Sequence, residues 1–351
     1  MSPWPEYHPN LFVDRPQAIE RIRRWADDHS ARRVLVLVAP PGSGKSWLMR
    51  KMEEEWKSNR LTVWLNAPQL IDRQETQNPN QVLKQDAFDG WFEEIQQRAS
   101  QFCTGLRSIG KFAALDAQIE ALVNMVCRCA LRYDPILIVD AYDEITELQA
   151  LTLSLRVLAK FISRPCTRLL IAVRSESLIQ EDTLRRHQEL FRLADETLNK
   201  GFASQQFEKW FVQEHPGQPL PTNLNDWMAG YQHYSWHNPA INHFLFSKAL
   251  ANSVSNLSHL TDSDLKECIQ EIIRRDGRYP PLNEEEFKVV YEIATELGEE
   301  WSYLETEEQL STHFYTDPKI GRLLEMGVIL WQAGLFYRIE TSIRELLLEI
   351  R

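Results

Sequence analysis

One segment constrains the fold of this chain more than any other: residues 39–46, with the sequence APPGSGKS. We call it the phosphate loop. The apolar run before it, Arg33 to Val38, is rich in β-branched residues and predicts a buried parallel strand. A helical pattern follows it from about Lys45 to Asn59. The segment matches the pattern GxxxxGK(S/T) between a strand and a helix, with alanine at the first glycine position. Such glycines let the backbone turn so that successive N–H groups face an anionic group.

The last two residues of the phosphate loop predict what that anionic group is. The ammonium group of Lys45 can reach the β- and γ-phosphates of a nucleotide, and the hydroxyl of Ser46 can bind Mg²⁺. The helix that begins at Lys45 adds the positive end of its dipole. We therefore expect the loop to bind the triphosphate of ATP or a close relative together with Mg²⁺. The expected contacts come from Pro41, Gly42, Ser43, Gly44, Lys45, Ser46 and Trp47.

An aspartate ends a second apolar run. Residues 136–139 are apolar and Asp140 follows them. An aspartate at the carboxyl end of a parallel strand can hold the hydration shell of Mg²⁺ opposite Ser46, and we predict this role for Asp140. Asp143 and Glu144 come next, and one of them could orient or activate the attacking water. Both acids are also suited to capping the next helix, so their assignment stays open.

An arginine ends a third apolar run, which extends from Arg168 to Val173. If this strand lies next to the phosphate loop, Arg174 is close to the γ-phosphate and can detect it through a charge-assisted hydrogen bond. A salt bridge at the sheet edge is the alternative role. Arg164 and Arg168 flank the same strand and could act on a neighbouring copy as an arginine finger, although ordinary surface charges explain them as well.

The order of the patterns predicts an α/β fold with more than one domain. Strands alternate with helices up to about residue 200, which predicts a parallel sheet with helices on both faces. Helical patterns dominate from about Ser204 onward, so we expect a domain boundary near residue 200. Prolines stop helices and mark linkers, and we expect a second boundary at Pro280 and Pro281.

Composition excludes several classes of protein. The net charge of -11 disfavours loose, non-specific binding to nucleic acid. The five cysteines form no CxxC pair, so we expect neither a disulfide framework nor a zinc site, and a reducing cytoplasm fits best. No long apolar run and no N-terminal signal pattern is present, so no membrane partner is expected. The histidines His233, His237 and His243 lack clear metal-ligand spacing.

The three motifs, in this order, resemble the signal-transduction ATPases with numerous domains (STAND), the branch of the P-loop NTPases related to AAA+ proteins. Residues 11–15 (LFVDR) are similar to the FVGRE segment of that family, whose backbone touches the adenine. This similarity implies nucleotide contacts from Val13 and Arg15.

Two further segments strengthen the resemblance. Residues 140–144 (DAYDE) resemble the DGLDE box of the NACHT subgroup, with Ala141 at the glycine position. Residues 235–241 (SWHNPAI) are similar to the GxP element of the family. That similarity implies that Pro239 packs on the base, and a plain turn between helices is the alternative.

The resemblance implies four segments in chain order. An N-terminal arm (residues 1–10) precedes a P-loop nucleotide-binding domain (11–200), a helical lid domain (201–279) and a winged-helix domain (280–351). From residue 280 onward, 6 lysines and arginines stand against 15 acids, a balance of -9. A DNA-binding surface needs basic residues that neutralise phosphates. We therefore expect a structural or protein-binding role for the last domain, and DNA binding is disfavoured.

The resemblance also implies a function. It predicts a cytoplasmic ATP-binding and slowly hydrolysing switch, in which ATP and ADP stabilise different domain arrangements. Homo-oligomers, or a partner effector or sensor protein, would then provide the output. A DNA-associated AAA+ ATPase of the origin-recognition or transposition-regulator type is the alternative, and a nucleotide-binding scaffold without useful hydrolysis is the third possibility.

Overall fold

The computed structural model describes residues 7–39, 42–67, 89–106, 115–130, 133–142, 145, 148–174, 182–193, 198, 200–222, 224, 238–253, 260–274, 280–298, 300–310, 314, 316–326, 328–331, 336–339 and 341–350. The chain divides into two compact units. The sheet unit comprises residues 14–39 and 45–193, and the helical unit comprises residues 1–13, 40–44 and 194–351.

The sheet unit contains a five-stranded parallel sheet with the strand order β2-β3-β4-β1-β5. Its strands are β1 (Val34–Val38), β2 (Thr62–Asn66), β3 (Ile136–Asp140), β4 (Arg168–Val173) and β5 (Gln188–Arg192). Every residue of β1 and β4 is buried, as expected for central strands of a parallel sheet. The predicted α/β class is confirmed, and β1 to β4 lie within one residue of the strands that the sequence predicts at residues 33–38, 61–65, 135–140 and 168–173. β5 has no counterpart among the strands predicted from the sequence.

Within its described residues, the sheet unit contains six helices. They are α1 (Pro16–Asp27), α2 (Lys45–Trp56), α3 (Asp89–Phe102), α4 (Leu115–Arg128), α5 (Leu148–Ile162) and α6 (Asp182–His187). Proline at the first position of α1 lacks only an N–H that would have no helical acceptor. Ile19, Ile22 and Trp25 recur at helical spacing in α1 and are buried. Apolar side chains of α3, α4 and α5 form one core with those of the sheet.

Arg168 holds the amino end of β4 through buried polar contacts. Its side chain is 1% exposed, and its Nε donates to Oδ2 of Asp134 across 3.1 Å. Its Nη1 and Nη2 donate to the backbone carbonyls of Trp25 and Asp28 at 2.7 and 2.8 Å. Arg168 is therefore neither a surface charge nor an arginine finger, and both roles predicted for it are wrong. Arg164, in contrast, is exposed.

A disulfide joins α4 to the segment before β4. It connects Cys127 with Cys166, which are 39 residues apart in the chain. The expectation from the cysteine count is therefore wrong at this pair. Cys103, Cys129 and Cys268 are free. Burial raises the pKa of the Cys129 thiol to about 12, and the neighbouring Cys103 adds to this effect, so Cys129 is an uncharged core residue at neutral pH.

The helical unit has one core that extends from Ala203 to Ile350. Its helices are α7 (Lys200–Glu214), α8 (Pro239–Ala251), α9 (Asp262–Arg274), α10 (Glu284–Glu296), α11 (Tyr303–Leu310), α12 (Pro318–Glu325) and α13 (Thr341–Glu349). Three short strands, β6 (Trp301–Ser302), β7 (Ile329–Trp331) and β8 (Phe336–Ile339), form an antiparallel sheet in the order β6-β8-β7. Helices α10 to α13 and these three strands all lie after residue 280. Within the described residues, no helix is both long enough and apolar enough to span a bilayer.

Candidate functional site

The carboxyl ends of β1 and β3 lie at one edge of the sheet and bring two predicted metal ligands together. Ser46 lies in the first turn of α2, and Asp140 is the last residue of β3. The hydroxyl of Ser46 donates to Oδ1 of Asp140 across 2.9 Å. The same oxygen accepts the backbone N–H of Ala141 at 2.9 Å. A hydroxyl and a carboxylate are oxygen ligands of the kind that Mg²⁺ prefers.

Lys45 directs its ammonium group to the beginning of the phosphate loop. Its Nζ donates to the backbone carbonyl of Ala39. The N–H of Ala39 donates in turn to the carbonyl of Val173 at 3.1 Å, which extends the pairing of β1 with β4. A phosphate oxygen carries negative charge and is a stronger acceptor than this neutral carbonyl. The ammonium group of Lys45 can therefore exchange the carbonyl of Ala39 for a bound phosphate oxygen.

The other predicted site residues of the sheet unit are Arg15, Trp47 and Arg174. Arg174 follows β4, the strand between β3 and β1, so the neighbouring strand that its predicted role requires is in place. Arg15 precedes α1 and is 4% exposed, whereas Arg174 is 8% exposed. Trp47 is half-buried in the first turn of α2. Val13 belongs to the helical unit and is buried. Contact of any of these residues with a nucleotide remains a prediction.

Gly42 of the phosphate loop packs against the start of α8 in the helical unit. Gly42 has a φ of +74°, a conformation that L side chains rarely adopt. A Cβ at this position would lie 2.6 Å from both the Cβ of Ala240 and the Oδ1 of Asn238. The N–H of Ala240 also donates to the carbonyl of Gly42 across 3.3 Å. The loop and the helix thus approach so closely that only glycine fits.

The start of α8 is itself held by polar contacts. The Oδ1 of Asn238 accepts from the N–H groups of Ala240 and Ile241 at 3.1 and 3.3 Å and caps the helix. The side-chain amide of Gln206 on α7 donates to the carbonyl of Pro239 at 2.6 Å. Pro239 is a site residue predicted from the sequence, whereas Asn238 is not. An asparagine before a proline at the start of an apolar segment is a helix-start signal that could have identified this cap.

Pro239 lies beside the second loop glycine. A Cβ on Gly44 would be 3.7 Å from Cγ of Pro239, which is ordinary van der Waals contact. Gly44 also has a positive φ, at +84°. Between the two glycines, Ser43 is 3% exposed, and its hydroxyl has no hydrogen-bond partner among the described residues. A buried hydroxyl without a partner costs about 1–3 kcal/mol, so a phosphate oxygen at this point would be stabilising.

Several predicted residues lie outside the described part of the chain, namely Pro41, Asp143, Glu144, His233 and His237. His243 is described, and its ring meets Trp210 edge-on with centroids 5.0 Å apart. Burial lowers the pKa of His243 to about 4, so the ring is neutral at physiological pH. Among the described residues, no group of three or more histidine, cysteine or acidic side chains could hold a metal ion.

Comparisons with known proteins give a match to one family model over part of the chain and several matches to solved structures. Residues 18–175 match the sequence model of the family described as nephrocystin 3, N-terminal. No curated protein matches the chain. The solved structure of the Walker-type ATPase PABY2304 of Pyrococcus abyssi matches with a TM-score of 0.60 at 13% identity, with 99% of each chain covered. At this identity the likeness shows the fold alone.

Two further solved structures match over most of this chain. Cdc6p from Pyrobaculum aerophilum matches with a TM-score of 0.46 at 15% identity, over 99% of this chain and 97% of its own. The STAND protein PH0952 from Pyrococcus horikoshii, which has a tetratricopeptide repeat sensor, matches with a TM-score of 0.35 at 15% identity. That match covers 96% of this chain and 42% of PH0952. The match to the family model over residues 18–175, the parallel sheet and the phosphate loop before α2 agree, and the chain has the fold of a P-loop NTPase.

Proposed function

We propose that this chain is an ATP-binding and slowly hydrolysing molecular switch of the STAND class. Nucleotide state would control the arrangement of a nucleotide-binding domain (residues 11–200), a helical lid domain (201–279) and a winged-helix domain (280–351). The rearrangement would favour or prevent assembly into homo-oligomers or recruitment of a partner protein. The residues of the phosphate loop support nucleotide binding. Their contact with α8 supports control of the domain arrangement by the nucleotide.

The contact between Gly42 and Ala240 carries the proposal. It connects the phosphate loop to α8 through one backbone hydrogen bond of 3.3 Å. A ligand shifts a conformational equilibrium only when it binds two states with different affinity. A nucleotide that changes the backbone of the loop would act on this hydrogen bond without any intervening residue. The position of α8 would then depend on what the loop holds.

We expect the loop and its neighbours to bind a nucleoside triphosphate together with Mg²⁺. The buried hydroxyl of Ser43 has no partner among the described residues, so it can bind a phosphate oxygen. Lys45 would hold the β- and γ-phosphates, and Arg174 would bind the γ-phosphate. Ser46 and Asp140, already 2.9 Å apart, would hold the metal. Bound Mg²⁺ would neutralise charge on the phosphate oxygens.

The remaining roles rest on the sequence resemblance. Asp143 or Glu144 would position the attacking water, while Val13, Arg15 and Pro239 would contact the base. Pro239 begins α8 beside Gly44, which is compatible with a role close to the nucleotide.

We propose that the last domain is a winged helix that binds protein. Its helices α10, α11 and α12 and its antiparallel strands β6, β7 and β8 support that topology. The cations of α12, the helix in the recognition position, are Lys319 and Arg322. Lys319 pairs with Glu285 at 2.8 Å and Arg322 pairs with Glu286 at 2.5 Å. Both cations are thus engaged within the domain, which disfavours phosphate binding.

Molecular mass in solution tests the switch. We expect the mass to differ between Mg²⁺-ADP and a non-hydrolysable ATP analogue, without DNA. Lys45→Ala should remove this difference together with nucleotide binding, whereas Lys51→Ala, on the same helix outside the loop, should preserve both. Glu144→Gln should bind ATP and lose turnover, which separates a switch from a scaffold. A mass that is independent of nucleotide in the wild type would overturn the proposal.

One observation favours the alternative of a DNA-associated AAA+ ATPase. Arg33 contacts the carbonyl of Arg164 and the ring of His187, and Arg185 and Arg186 immediately precede that histidine. These basic groups form a local patch in an acidic chain. The alternative predicts DNA-stimulated turnover and a DNA affinity that falls steeply with salt. The alternative also predicts that the double variant Arg185→Glu/Arg186→Glu loses both the stimulation by DNA and the binding of DNA.

A further inference from the structure

A small cationic cavity lies in the sheet unit between the end of α2, the beginning of β2 and α3. Its volume is about 140 Å³. The polar residues that line it are Lys57, Arg60, Thr62, Arg98 and Gln101. Three of these five side chains are cations, and no carboxylate lines the cavity. α2 contains 12 residues, so the cavity lies about 18 Å from the phosphate loop along the helix axis.

Arg60 is the buried member of this group. Its side chain is 2% exposed, and Nη2 donates to Asp27 across 2.7 Å. The Nε and Nη1 atoms are buried and have no hydrogen-bond acceptor among the described residues. The rings of Tyr133 and Trp56 face the guanidinium at 4.9 and 5.4 Å and offset part of this cost. Burial lowers the pKa of Arg60, and Asp27 only partly opposes that effect.

Of the other two cations, Lys57 leaves the cavity positively charged. Arg98 is paired: it donates to Glu53 at 3.0 Å, which is shared with Arg50 at 2.8 Å, and its Nε lies 3.8 Å from Glu94. Lys57 is exposed and makes no ion pair with a described residue. Like charges around a cavity repel one another, and an anion between them removes that repulsion.

We propose that this cavity binds a small oxyanion of the phosphate or sulfate class, at a site separate from the phosphate loop. The volume is below the range of about 300–1,000 Å³ that is typical of sites for drug-sized ligands, which excludes a whole nucleotide. The amide of Gln101 and the hydroxyl of Thr62 add neutral donors to the three cations. A purely structural role, in which Lys57 and Arg60 complement the negative end of the α2 dipole, predicts no such binding.

Thermal unfolding of the Lys45→Ala protein provides the test, because that variant lacks the loop cation that would also attract phosphate. We expect inorganic phosphate and sulfate to raise Tm in a saturable way relative to chloride at equal ionic strength. Phosphoserine is the probe for a phosphate carried by a larger molecule. A rise in Tm with inorganic phosphate but not with phosphoserine indicates that the cavity binds a free ion. A rise in Tm with both compounds indicates that the cavity also accepts a phosphate group carried by a larger molecule.

Two exposed positions allow the cavity to be altered without disturbing Arg60. The double variant Lys57→Gln/Gln101→Glu removes one cation and adds a carboxylate, so the apparent phosphate affinity should fall at least about tenfold. The control Lys160→Gln/Gln213→Glu makes the same changes outside the cavity and should leave the affinity unchanged. In wild-type protein, saturating ADP occupies the phosphate loop. Equilibrium dialysis with labelled phosphate should then still detect phosphate binding at the cavity. Absence of an ion-specific rise in Tm, or an equal rise in the double variant, would overturn the proposal.

Discussion

The hydroxyl of Ser46 donates to Oδ1 of Asp140 across 2.9 Å, and the backbone N–H of Ala141 donates to the same oxygen at the same distance. Two donors on one oxygen fix the orientation of the carboxylate relative to the first turn of α2. Polar groups that are fixed in advance stabilise developing charge without a cost of reorganisation. The carboxylate of Asp140 should therefore be among the most sensitive groups of the site.

We expect Asp140→Asn to lower kcat/KM for ATP hydrolysis by about 10- to 100-fold. Loss of one charged partner costs about 1.5–3 kcal/mol, which corresponds to that range. The amide keeps the shape and can still accept from Ser46, so the free energy of unfolding should change little. Turnover measured at several Mg²⁺ concentrations checks the prediction. Asp116→Asn, which removes an exposed acid on α4, is the control. Equal turnover of Asp140→Asn and wild type would contradict a metal-binding role.

The folded protein should be more stable with glycine than with alanine at position 141. Its φ of +52° lies in the left-handed region, where an L residue costs about 1–2 kcal/mol. Glycine loses about 0.5–1 kcal/mol of additional conformational entropy on folding. Ala141→Gly should therefore raise the free energy of unfolding by up to about 1 kcal/mol, measured as a shift of the urea midpoint. Ala121→Gly within α4 should lower it by about 1 kcal/mol. A less stable Ala141→Gly protein would show that the backbone at this residue is not strained.

Gly42→Ala should destabilise the chain more than the same change at Gly44 or Gly217. All three glycines have a φ between +74° and +84°, so each substitution carries a similar backbone cost. Only at Gly42 would the new Cβ meet other atoms at 2.6 Å, and one of these is the Cβ of Ala240, which the backbone of α8 fixes. Overpacking typically adds about 1–3 kcal/mol. Urea midpoints of the three variants measure the difference. Equal midpoints would mean that α8 moves away from the loop at little cost.

Arg168 and Arg164 should differ sharply in their effect on stability. Arg168→Gln leaves Asp134 without its buried partner and two carbonyls without donors, which should cost about 3–5 kcal/mol. The side chain of Arg164 is 44% exposed, so Arg164→Gln should cost less than about 1 kcal/mol. Chemical denaturation measures both. A small effect of Arg168→Gln would show that water replaces its contacts.

Strands β1 to β4 could be predicted because apolar residues dominate each of them. A parallel strand that is covered on both faces requires such a sequence. β5 pairs with β1 and, among the described strands, is the edge strand opposite β2. Of its five residues, only Leu190 and Phe191 are apolar, and charged residues are common at sheet edges. The sequence therefore carries little signal for this strand.

Within the candidate site, local motifs were sufficient for some contacts and insufficient for others. A loop between a strand and a helix, followed by an acidic strand end, predicted that Ser46 and Asp140 would lie close together. The resemblance of residues 235–241 to the GxP element predicted that Pro239 lies near the nucleotide, but it did not predict the direct contact of Ala240 with Gly42. These two residues are 198 positions apart, and no local pattern specifies a backbone contact between them. The pairing of Cys127 with Cys166 depends on tertiary packing in the same way. The chemical roles of the site residues remain predictions.

His243 should make the helical unit less stable at acidic pH. Burial lowers the pKa of this ring from 6.5 to about 4 in the folded protein. Between these values the unfolded chain binds a proton that the folded chain does not, so stability rises with pH in this window. The contribution of the neutral His243 ring to the free energy of unfolding is complete above about pH 6.5 and is lost as the pH falls toward 4. It amounts to up to about 3 kcal/mol, since one pKa unit corresponds to 1.36 kcal/mol.

Other groups titrate in the same window, so the measurement is a difference between wild type and His243→Phe. Phenylalanine can keep the edge-on contact with Trp210, which has centroids 5.0 Å apart in the wild type, and cannot be protonated. We expect the wild type to lose stability relative to the variant as the pH falls from 6.5 to 4. Urea denaturation at half-unit pH intervals measures this loss. Parallel curves for the two proteins would mean that the ring reaches water and titrates normally, because a ring that stays buried must resist protonation.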